Sequence, residues 1–419
     1  MHGYVINGGR VLDGKIKIQS AKNSVLPILA GAILTDKQVI VRAVPKIQDV
    51  FSMVKILNGL GVKTRFDEDD LIVDASGLNG YEIPANLCRE LRSSVFTLGA
   101  LLARYGKAKI SYPGGCRIGA RPIDIHLDGL KNLGAKIYES DDMIECVSHK
   151  ISGAEVNLSF PSVGATENLM LASVFCKGKT VIKNSAKEPE IVDLMNFLNS
   201  MGAKVEGAGT DTVTITGVKR LHGTTYKPIG DRIEAGTYLI GASITGGKIE
   251  LSGCNYQNIS PLINKICNNT CKISVKNDII CYNSGVVRKS FNITTGPFPE
   301  FPTDLQAQMT SLATVSNGVS YITERVFETR FHHVPELVKM GANITVNDRT
   351  AIVKGVNRLH GATVYARDLR GGASLVLAGL VAEGETFVRS IGHVERGYSE
   401  LEYKLRSLGA EVKKITLDK

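Results

Sequence analysis

Charged and small polar residues recur near the starts of apolar, helix-period segments along the chain. Six such positions follow one another at intervals of about 70 residues: Lys22-Asn23, Arg92, Ser162 to Gly164, Asp231-Arg232, Asp304 and Arg370. Helix N-termini carry unsatisfied N–H groups and a partial positive charge, so they attract anions. A lysine or arginine there is electrostatically unfavourable unless an anion accompanies it. If these helix starts meet in one cleft, the pattern predicts a site for a phosphorylated or carboxylated ligand.

The same positions also have a purely structural explanation. Ser20, Asp304 and Asp368 are ordinary N-cap residue types, whose side chains accept hydrogen bonds from the first turn of a helix. A helix start that only needs a cap requires no ligand.

A glycine-rich loop over residues 112–126 carries the most reactive candidate side chain. Cys116 lies there with Arg117 and Arg121, and nearby cations lower the pKa of a thiol and make it nucleophilic. Loops of this kind often close over substrate. The alternative is a free loop cysteine without a role.

Further along the chain, Arg330 and Arg396 add two guanidiniums that suit carboxylate or phosphate binding. For each alone, a surface ion pair is an equally simple explanation. His332 and His333 would point to opposite faces of a strand, and no histidine or cysteine pair completes a zinc site beside Cys267 and Cys271. No metal site is therefore expected.

An internal repeat determines the expected fold class. A short motif of Leu or Met, then Gly, then Ala or Val, here called the glycine phrase, ends five helix-period segments. The motifs follow one another at intervals of about 70 residues, except for one interval of twice that length. Their glycines are Gly61, Gly134, Gly202, Gly341 and Gly409. The missing phrase falls near residues 267–272. Each repeat is read as a buried apolar helix, a short β-branched strand, a second helix that ends at the glycine, and a hairpin. The pattern predicts an α/β protein of six βαβαββ repeats.

Six repeats are most simply arranged as two domains of three. We expect one domain over residues 21–229, with the Cys116 loop, and a discontinuous second domain over residues 1–20 and 230–419. In the second, the segment Tyr4 to Ile18 would pair with strands of the last repeat. The active site is expected in the cleft between the domains.

Composition excludes several classes of protein. The 419 residues contain 50 Lys and Arg against 41 Asp and Glu, with no Trp and no long basic run, so neither a nucleic-acid arm nor base-stacking platforms are expected. The net charge of +9 suits small anionic substrates, although plain solubility is the alternative. Apolar runs are too short to span a membrane. Eight scattered cysteines and no signal-peptide pattern favour a cytoplasmic location with reduced thiols.

Eight motifs in order resemble the enolpyruvyl transferases, and among them the UDP-N-acetylglucosamine 1-carboxyvinyltransferases that begin bacterial peptidoglycan synthesis. The similarity covers nearly the whole chain, in the segments SAKNSVLPIL (20–29), PGGCRIGARPIDIHL (113–127), SVGATEN (162–168), KEPEIVDLMNFL (187–198), FPTDLQAQ (301–308), VFETRFHHVPEL (326–337), ARDLRGGASLVLAGL (366–380) and ERGYSELEYKLRSLGA (395–410). The resemblance implies an inside-out α/β barrel of two domains with three repeats each.

The resemblance also implies a reaction. The enolpyruvyl group of phosphoenolpyruvate would move to the 3′-hydroxyl of UDP-N-acetylglucosamine by addition and elimination, with release of phosphate and without a cofactor. Cys116 would be the acid, and also the nucleophile that holds a phospholactoyl adduct and reacts with the epoxide antibiotic fosfomycin. Asp304 would be the base.

The remaining roles come from the same resemblance. The contacts to phosphoenolpyruvate would be Lys22, Asn23, Arg121, Arg330, Arg370 and Arg396, with Lys22 and Arg396 also catalytic. The contacts to the nucleotide sugar would be Asn23, Arg92, Arg121, Pro122, Ile123, Asp124, Ile125, Asp304 and Val326. The basic residue that some family members carry before SVGAT is replaced by Phe160-Pro161, so that contact is not carried over and Ser162 to Gly164 stay open.

Three other functions are weighed against this one. The sister enzyme acts on shikimate 3-phosphate but lacks the cysteine loop. A non-catalytic nucleotide-sugar sensor should have lost Cys116, Asp304 or the arginines. A cysteine hydrolase would need a histidine partner, and His126 is the only one close in sequence.

Overall fold

The computed structural model describes residues 2–114, 123–267, 271–285 and 288–416. Their contacts divide the chain into two compact units. Residues 20–114 and 123–229 form the first unit, and residues 2–19 and 230–416 form the second unit.

The helices of the described residues are, in chain order, α1 (Lys22–Gly31), α2 (Gln48–Gly59), α3 (Ala85–Glu90), α4 (Phe96–Tyr105), α5 (Asp124–Asn132), α6 (Val163–Ser173), α7 (Pro189–Ser200), α8 (Arg232–Thr245), α9 (Tyr256–Ile266), α10 (Gln306–Thr314), α11 (Val334–Lys339), α12 (Leu369–Gly379) and α13 (Leu401–Ser407). Short 3₁₀ helices cover Ala32–Leu34, Arg92–Val95, Thr303–Leu305 and Ile391–Arg396.

The strands are β1 (His2–Asn7), β2 (Asp13–Lys17), β3 (Val39–Val41), β4 (Lys63–Asp67), β5 (Asp70–Asp74), β6 (Lys107–Ser111), β7 (Lys136–Glu139), β8 (Met143–Val147), β9 (Glu155–Asn157), β10 (Lys179–Lys183), β11 (Lys204–Glu206), β12 (Thr212–Thr216), β13 (Thr225–Tyr226), β14 (Lys248–Ser252), β15 (Lys272–Lys276), β16 (Ile279–Asn283), β17 (Asn292–Thr294), β18 (Val319–Thr323), β19 (Asn343–Asn347), β20 (Thr350–Lys354), β21 (Leu359–His360), β22 (Thr363–Tyr365), β23 (Ala382–Glu383), β24 (Glu385–Arg389) and β25 (Glu411–Thr416).

Each unit contains three sheets that carry the predicted repeats. In the first unit the strand orders are β13-β3-β5-β4, β6-β8-β7 and β9-β10-β12-β11. In the second they are β2-β14-β16-β15, β17-β18-β20-β19 and β22-β24-β1-β25, with a small pair β21-β23. The strand after each repeat's first helix lies within two residues of its predicted start, so the α/β class and the repeat are confirmed.

The N-terminal segment forms two strands in two different sheets. β1 lies between β24 and β25 and pairs antiparallel with both, so it completes the hairpin of the sixth repeat, as the sequence predicts. β2 pairs parallel with β14 of the fourth repeat instead. The segment Tyr4 to Ile18 was expected to pair with the last repeat only, but its second strand pairs with the fourth repeat.

The first helix of each repeat lies in the interior. All 14 residues of α8 are buried, and so is every residue of α10 and α12; α1, α4 and α6 are buried over most of their length. Helices α1 and α12 are apolar over most of their surface, which is the pattern of a buried helix. Helix α10 instead buries polar residues, and the hydroxyls of Thr310, Ser311 and Thr314 donate to backbone carbonyls. The central strands β5, β10 and β20 are buried on alternate residues, so the sheets cover the helices and keep one face toward solvent. Each unit therefore has the predicted inside-out α/β arrangement, with helices inside and sheets outside, and among the described residues its sheets remain separate.

The repeated glycines end the second helix in five of the repeats, as predicted. Gly61, Gly134, Gly202, Gly341 and Gly409 all have φ between 90° and 95°. This left-handed conformation costs a residue with a Cβ atom about 1–2 kcal/mol. The glycine phrase is therefore the C-terminal stop of the second helix in five repeats.

The fourth repeat ends its second helix differently. The structure joins Cys267 and Cys271 in a disulfide directly after α9, where the glycine phrase is missing. The expectation that all thiols are reduced is therefore wrong for this pair. The Cα atoms of these two residues lie 5.0 Å apart, within bonding reach for a disulfide.

Candidate active site

Three charged side chains of the second unit form an ion-pair cluster, here called the Asp304 cluster. Oδ1 of Asp304 accepts a hydrogen bond from Nη2 of Arg330 at 2.6 Å, and Oδ2 accepts one from Nη2 of Arg370 at 2.9 Å. Both arginine side chains are 4% exposed, whereas the Asp304 side chain is 25% exposed. The carboxylate is therefore the accessible edge of an otherwise buried cluster.

Helix starts position two members of this cluster. Arg370 is the second residue of α12, and Asp368 caps that helix by accepting hydrogen bonds from the N–H groups of Arg370 and Gly371 at 3.0 and 2.8 Å. Asp304 lies within the 3₁₀ helix that leads into α10, and its side chain is not the N-cap. The expected cap is thus confirmed at Asp368 and wrong at Asp304.

Arg370 packs against an aromatic ring that belongs to a buried polar network. Its guanidinium carbon lies 5.5 Å from the ring centroid of Tyr398. Burial by itself lowers the pKa of Arg370, but Asp304 and Tyr398 outweigh that effect and raise it above its ordinary value. The Tyr398 hydroxyl lies 2.8 Å from Oγ1 of Thr237 and accepts a hydrogen bond from Nε2 of Gln308 at 3.2 Å. The guanidinium therefore remains charged and fixed.

Glu324 is a structural residue of this site that the sequence analysis missed. It is 1% exposed, and its Oε1 accepts hydrogen bonds from the N–H groups of Val326 and Phe327 at 2.8 and 3.0 Å. Its Oε2 accepts one from Oγ1 of Thr303, which in turn accepts one from Nη1 of Arg330. The predicted contact Val326 is thereby tied to the Asp304 cluster. A single glutamate after a strand carries no spacing signal that could have identified it.

His333 is also buried beside this cluster. In the described part of the chain neither ring nitrogen has a hydrogen-bond partner. Burial lowers its pKa to about 4, with Asp368 opposing the shift and the positive charges of Arg330 and His332 adding to it. The ring is therefore neutral at neutral pH.

Arg396 is the last residue of the 3₁₀ helix Ile391–Arg396 and is partly exposed. It lies two residues before Tyr398, so the same short segment carries a predicted phosphoenolpyruvate contact and the ring that packs against Arg370.

In the first unit, Lys22 starts α1 and is paired with a carboxylate. Its Nζ lies 3.0 Å from Oδ2 of Asp49 on α2, and the two side chains are 13% and 4% exposed. Asp49 was not identified from the sequence. Asn23 follows on the same helix, and the N-cap of α1 is Ala21 rather than the expected Ser20. The lysine at this positive helix end therefore has an internal counter-charge.

Arg92 begins the 3₁₀ helix before α4 and lies near a buried histidine. Burial, and then the positive charge of Arg92, lower the pKa of His126 to about 3. Nδ1 of His126 lies 3.3 Å from Nδ2 of Asn168, whose Oδ1 accepts the N–H of Gly99 at 2.8 Å. The amide therefore donates to Nδ1, and the ring proton of the neutral imidazole lies on Nε2. Neither nitrogen then has a lone pair free to accept a proton, which disfavours His126 as the base of a cysteine hydrolase.

The remaining first-unit residues also lie at helix starts. Ile123 is the N-cap of α5, and Asp124 and Ile125 are its first two residues. Ser162 caps α6 by accepting the N–H of Ala165 at 3.3 Å, two residues before Gly164. Three more candidates, Cys116, Arg121 and Pro122, lie outside the described residues.

Two further observations bear on the kind of site. Among residues 2–114, 123–267, 271–285 and 288–416, no group of histidine, cysteine or carboxylate side chains could hold a metal ion. Over the same ranges, none of the helices combines the length and the apolar character needed to cross a bilayer.

Comparison with known proteins decides the family. The profile described as EPSP synthase (3-phosphoshikimate 1-carboxyvinyltransferase) matches residues 6–405. The chain belongs to the enolpyruvyl transferase family. It is 49% identical to UDP-N-acetylglucosamine 1-carboxyvinyltransferase 2 of Caldanaerobacter subterraneus subsp. tengcongensis, with 99% of this chain and all of the relative covered. The enzyme of the same name from Carboxydothermus hydrogenoformans is 48% identical over the same shares.

Solved structures of other enolpyruvyl transferases share the fold. The enolpyruvyl transferase NikO from Streptomyces tendae superposes with a TM-score of 0.88 at 25% identity, over 100% of this chain and 99% of that one. EPSP synthase from Acinetobacter baumannii superposes with a TM-score of 0.77 at 16% identity, over 99% and 100% of the two chains. The second likeness concerns the fold alone.

Proposed function

We propose that this enolpyruvyl transferase moves the enolpyruvyl group of phosphoenolpyruvate to the 3′-hydroxyl of UDP-N-acetylglucosamine. In the addition step the hydroxyl oxygen bonds to C2 of phosphoenolpyruvate and loses its proton, while C3 gains a proton. In the elimination step the bond from C2 to the phosphate oxygen breaks, phosphate leaves and C3 loses a proton. The product enters bacterial peptidoglycan synthesis, on which cell shape and division depend.

The observation that carries this proposal is the Asp304 cluster. A base must take the hydroxyl proton, and only an ionised carboxylate can do so. The guanidiniums of Arg330 and Arg370 stabilise that ionised form and hold both oxygens in place. The partial exposure of Asp304 leaves the carboxylate open to a substrate hydroxyl. This arrangement supports Asp304 as the base.

The other roles are proposed on the family motifs. Cys116 would protonate C3 and form the covalent adduct, and Lys22, Arg121 and Arg396 would hold phosphoenolpyruvate with Arg330 and Arg370 in support. Asn23, Arg92, Val326 and residues 121–125 would contact the nucleotide sugar. We propose that these groups meet in a cleft between the two units, and that the Cys116 loop closes over the substrates.

The proposed reaction also bears on the need for a cofactor and on the cellular compartment. Proton transfer and charge stabilisation suffice for addition and elimination, so the proposal needs no cofactor. Both substrates are cytoplasmic metabolites, and the cytoplasm is the proposed compartment.

The decisive experiment is an acceptor test. Phosphate release from phosphoenolpyruvate would be measured with UDP-N-acetylglucosamine or shikimate 3-phosphate, for the wild type and for Cys116→Ala. Release with the nucleotide sugar alone, lost in the variant, is expected. Release with shikimate 3-phosphate alone would identify the sister activity. Tight nucleotide-sugar binding without release from either acceptor would identify a sensor.

A second experiment addresses Cys116 directly. Incubation with fosfomycin and UDP-N-acetylglucosamine should add the mass of one epoxide molecule to the wild type and nothing to Cys116→Ala. An unchanged intact mass of the wild type would contradict the proposed reactivity. Acyl transfer without phosphoenolpyruvate would instead support a cysteine hydrolase.

A further inference from the structure

Gln19, the last residue of the N-terminal segment of the second unit, uses all four of its polar groups in hydrogen bonds. Its backbone N–H donates to Oε2 of Glu234 at 2.8 Å, and its carbonyl oxygen accepts the N–H of Asp231 at 2.8 Å. Its side-chain Nε2 donates to the carbonyl oxygen of Gly397 at 3.0 Å, and Oε1 accepts the N–H of Ser399 at 3.2 Å. Gln19 therefore links the start of α8 to the segment just before α13.

The side chain of Gln19 holds a short segment that has no regular structure of its own. Residues 397–400 lie between the 3₁₀ helix Ile391–Arg396 and α13 and belong to no helix or strand. The polar backbone groups of such a segment need partners from elsewhere in the fold. The amide of Gln19 supplies one donor and one acceptor, one on each side of Tyr398. It therefore fixes the backbone around that residue.

This segment determines the surroundings of two arginines. Arg396 directly precedes Gly397, so the carbonyl held by Gln19 belongs to the next residue of the chain. Gly397 also packs against the start of α12, where an added Cβ would lie 2.8 Å from Cδ2 of Leu369, the residue before Arg370. The ring that packs against Arg370 follows Gly397 in the same segment. A shift of this segment would therefore displace Arg396 and the packing of Arg370 together.

The backbone of Gln19 is fixed independently of its side chain. Glu234, whose Oε2 accepts the Gln19 N–H, also accepts a hydrogen bond at Oε1 from Nζ of Lys404 on α13 at 2.5 Å. The side chains of this ion pair are 1% and 14% exposed. A substitution of Gln19 leaves these backbone contacts available. It therefore removes the link to the segment without removing the support beneath it.

We infer that Gln19 is a positioning residue whose amide aligns Arg396 and Arg370 for phosphoenolpyruvate. The inference rests on the proposed function, in which both arginines contact that substrate. Guanidinium hydrogen bonds to phosphate and carboxylate have fixed directions, so a small displacement weakens them. None of the proposed contacts to the nucleotide sugar lies within residues 396–399. Loss of the Gln19 amide should therefore affect phosphoenolpyruvate and leave the nucleotide sugar unaffected.

The test is Gln19→Met, which keeps the length of the side chain and removes both of its hydrogen bonds. Phosphate release would be measured against the concentration of each substrate. The KM for phosphoenolpyruvate should rise at least about fivefold, with kcat and the KM for UDP-N-acetylglucosamine unchanged. A variant that is merely less stable would lose active protein, and hence kcat, without a change in either KM.

Gln19→Asn is a second, milder variant. It keeps both polar groups but is one methylene shorter, so the amide cannot reach both of its partners. The same KM should rise by a smaller factor. This variant tests the inference even if Gln19→Met does not fold, which circular dichroism would show.

The matched control is Asn199→Leu in the first unit. Nδ2 of Asn199 donates to the carbonyl oxygen of Val205 at 2.8 Å, and Oδ1 accepts the N–H of the same residue at 2.9 Å. The substitution removes the same pair of amide-to-backbone hydrogen bonds at the end of α7. Both KM values should equal those of the wild type.

A binding measurement separates this inference from the proposed function. Phosphoenolpyruvate would be titrated calorimetrically into Cys116→Ala, with and without Gln19→Met, at saturating UDP-N-acetylglucosamine. The second substitution should raise the Kd at least about fivefold. Weaker binding in the double variant, with no phosphate release by the wild type, would contradict the proposed function and support the role of Gln19. Equal KM and Kd values with and without Gln19 would overturn the inference while the transfer reaction stands, and an absence of phosphoenolpyruvate binding to Cys116→Ala would overturn both.

Discussion

At the scale of single residues, Asp304 balances the charge of two buried arginines. Asp304→Asn keeps the shape of the side chain but removes the negative charge between Arg330 and Arg370. Leaving buried charges without their partner costs about 3–5 kcal/mol, and losing a general base costs about 10²–10⁴ in rate. We expect a lower midpoint of thermal unfolding and a phosphate-release rate at least ~100-fold lower.

Asp278→Asn is the matched control for this change. Asp278 lies in the exposed turn between β15 and β16 with φ of 60°, a conformation that asparagine tolerates. Its stability and activity should equal those of the wild type. Full activity of Asp304→Asn would remove Asp304 from the mechanism.

His126 makes the stability of the protein depend on pH. Its pKa is about 3 in the folded protein against 6.5 in the unfolded chain, so between these values the unfolded state binds more protons. Its contribution is therefore complete above pH 6.5 and is lost progressively as pH falls toward 3, by up to about 1.4 kcal/mol per pH unit. His126→Gln should flatten the acid limb of the stability curve, measured by urea unfolding from pH 7 to 4.

His149→Gln serves as the comparison, because His149 is exposed. Its curve should follow that of the wild type. An acid limb equally steep in His126→Gln would assign the acid sensitivity to other groups, among which His333 is the next candidate.

Residue types identified the members of the Asp304 cluster better than the residues that support them. Asp304, Arg330 and Arg370 were identified from the sequence, and the structure brings them together. Their supports were missed because partners such as Glu324 and Tyr398 are distant in sequence and share no spacing with them. A motif shows which groups meet a ligand, whereas the burial that fixes those groups depends on the whole fold.

At the scale of elements, the glycine that ends the second helix in five repeats can be tested against a glycine in the last helical turn. Gly134→Ala adds a Cβ that meets nothing within 4 Å, but at φ of +91°. We expect it to lower the free energy of unfolding by about 1–2 kcal/mol through backbone strain alone.

Gly59→Ala is its counterpart on α2, where an added Cβ also meets nothing within 4 Å and the backbone is helical. It should raise the free energy of unfolding by about 0.5–1 kcal/mol. Denaturant unfolding of both variants measures the difference. Equal effects of the two would show that φ does not determine the cost.

The order of elements was predictable because two periodicities and a glycine stop recur in the repeats. The end of α9 was not, since the Cys267–Cys271 disulfide replaces the glycine there. The split of the N-terminal segment between two sheets was also missed. Strand pairing over hundreds of residues leaves no local signal in a sequence.

At the scale of the whole molecule, the chain ends lie side by side in one sheet. His2 pairs with Thr416 across β1 and β25, so a short connection can join these two antiparallel strands as a hairpin. A circular permutant with joined termini, opened between Gly209 and Thr210 in the exposed turn before β12, should fold and keep its activity.

The control permutant is opened between Gly241 and Ala242 inside the buried helix α8. It should fail to fold, as judged by circular dichroism and phosphate release. Failure of both permutants would show that the native position of the chain ends is itself required.

The central place of β1 in its sheet has a consequence for synthesis on the ribosome. β1 leaves the ribosome first, but its partners β24 and β25 are the last strands to be made. At roughly 5–20 residues per second, β1 waits about 20 to 80 s for them. During that time its edges are open to other nascent chains, whereas the first unit is completed at residue 229, before β24 is made. The permutant would make β1 directly after β25, so any gain in its soluble yield would measure the cost of that wait.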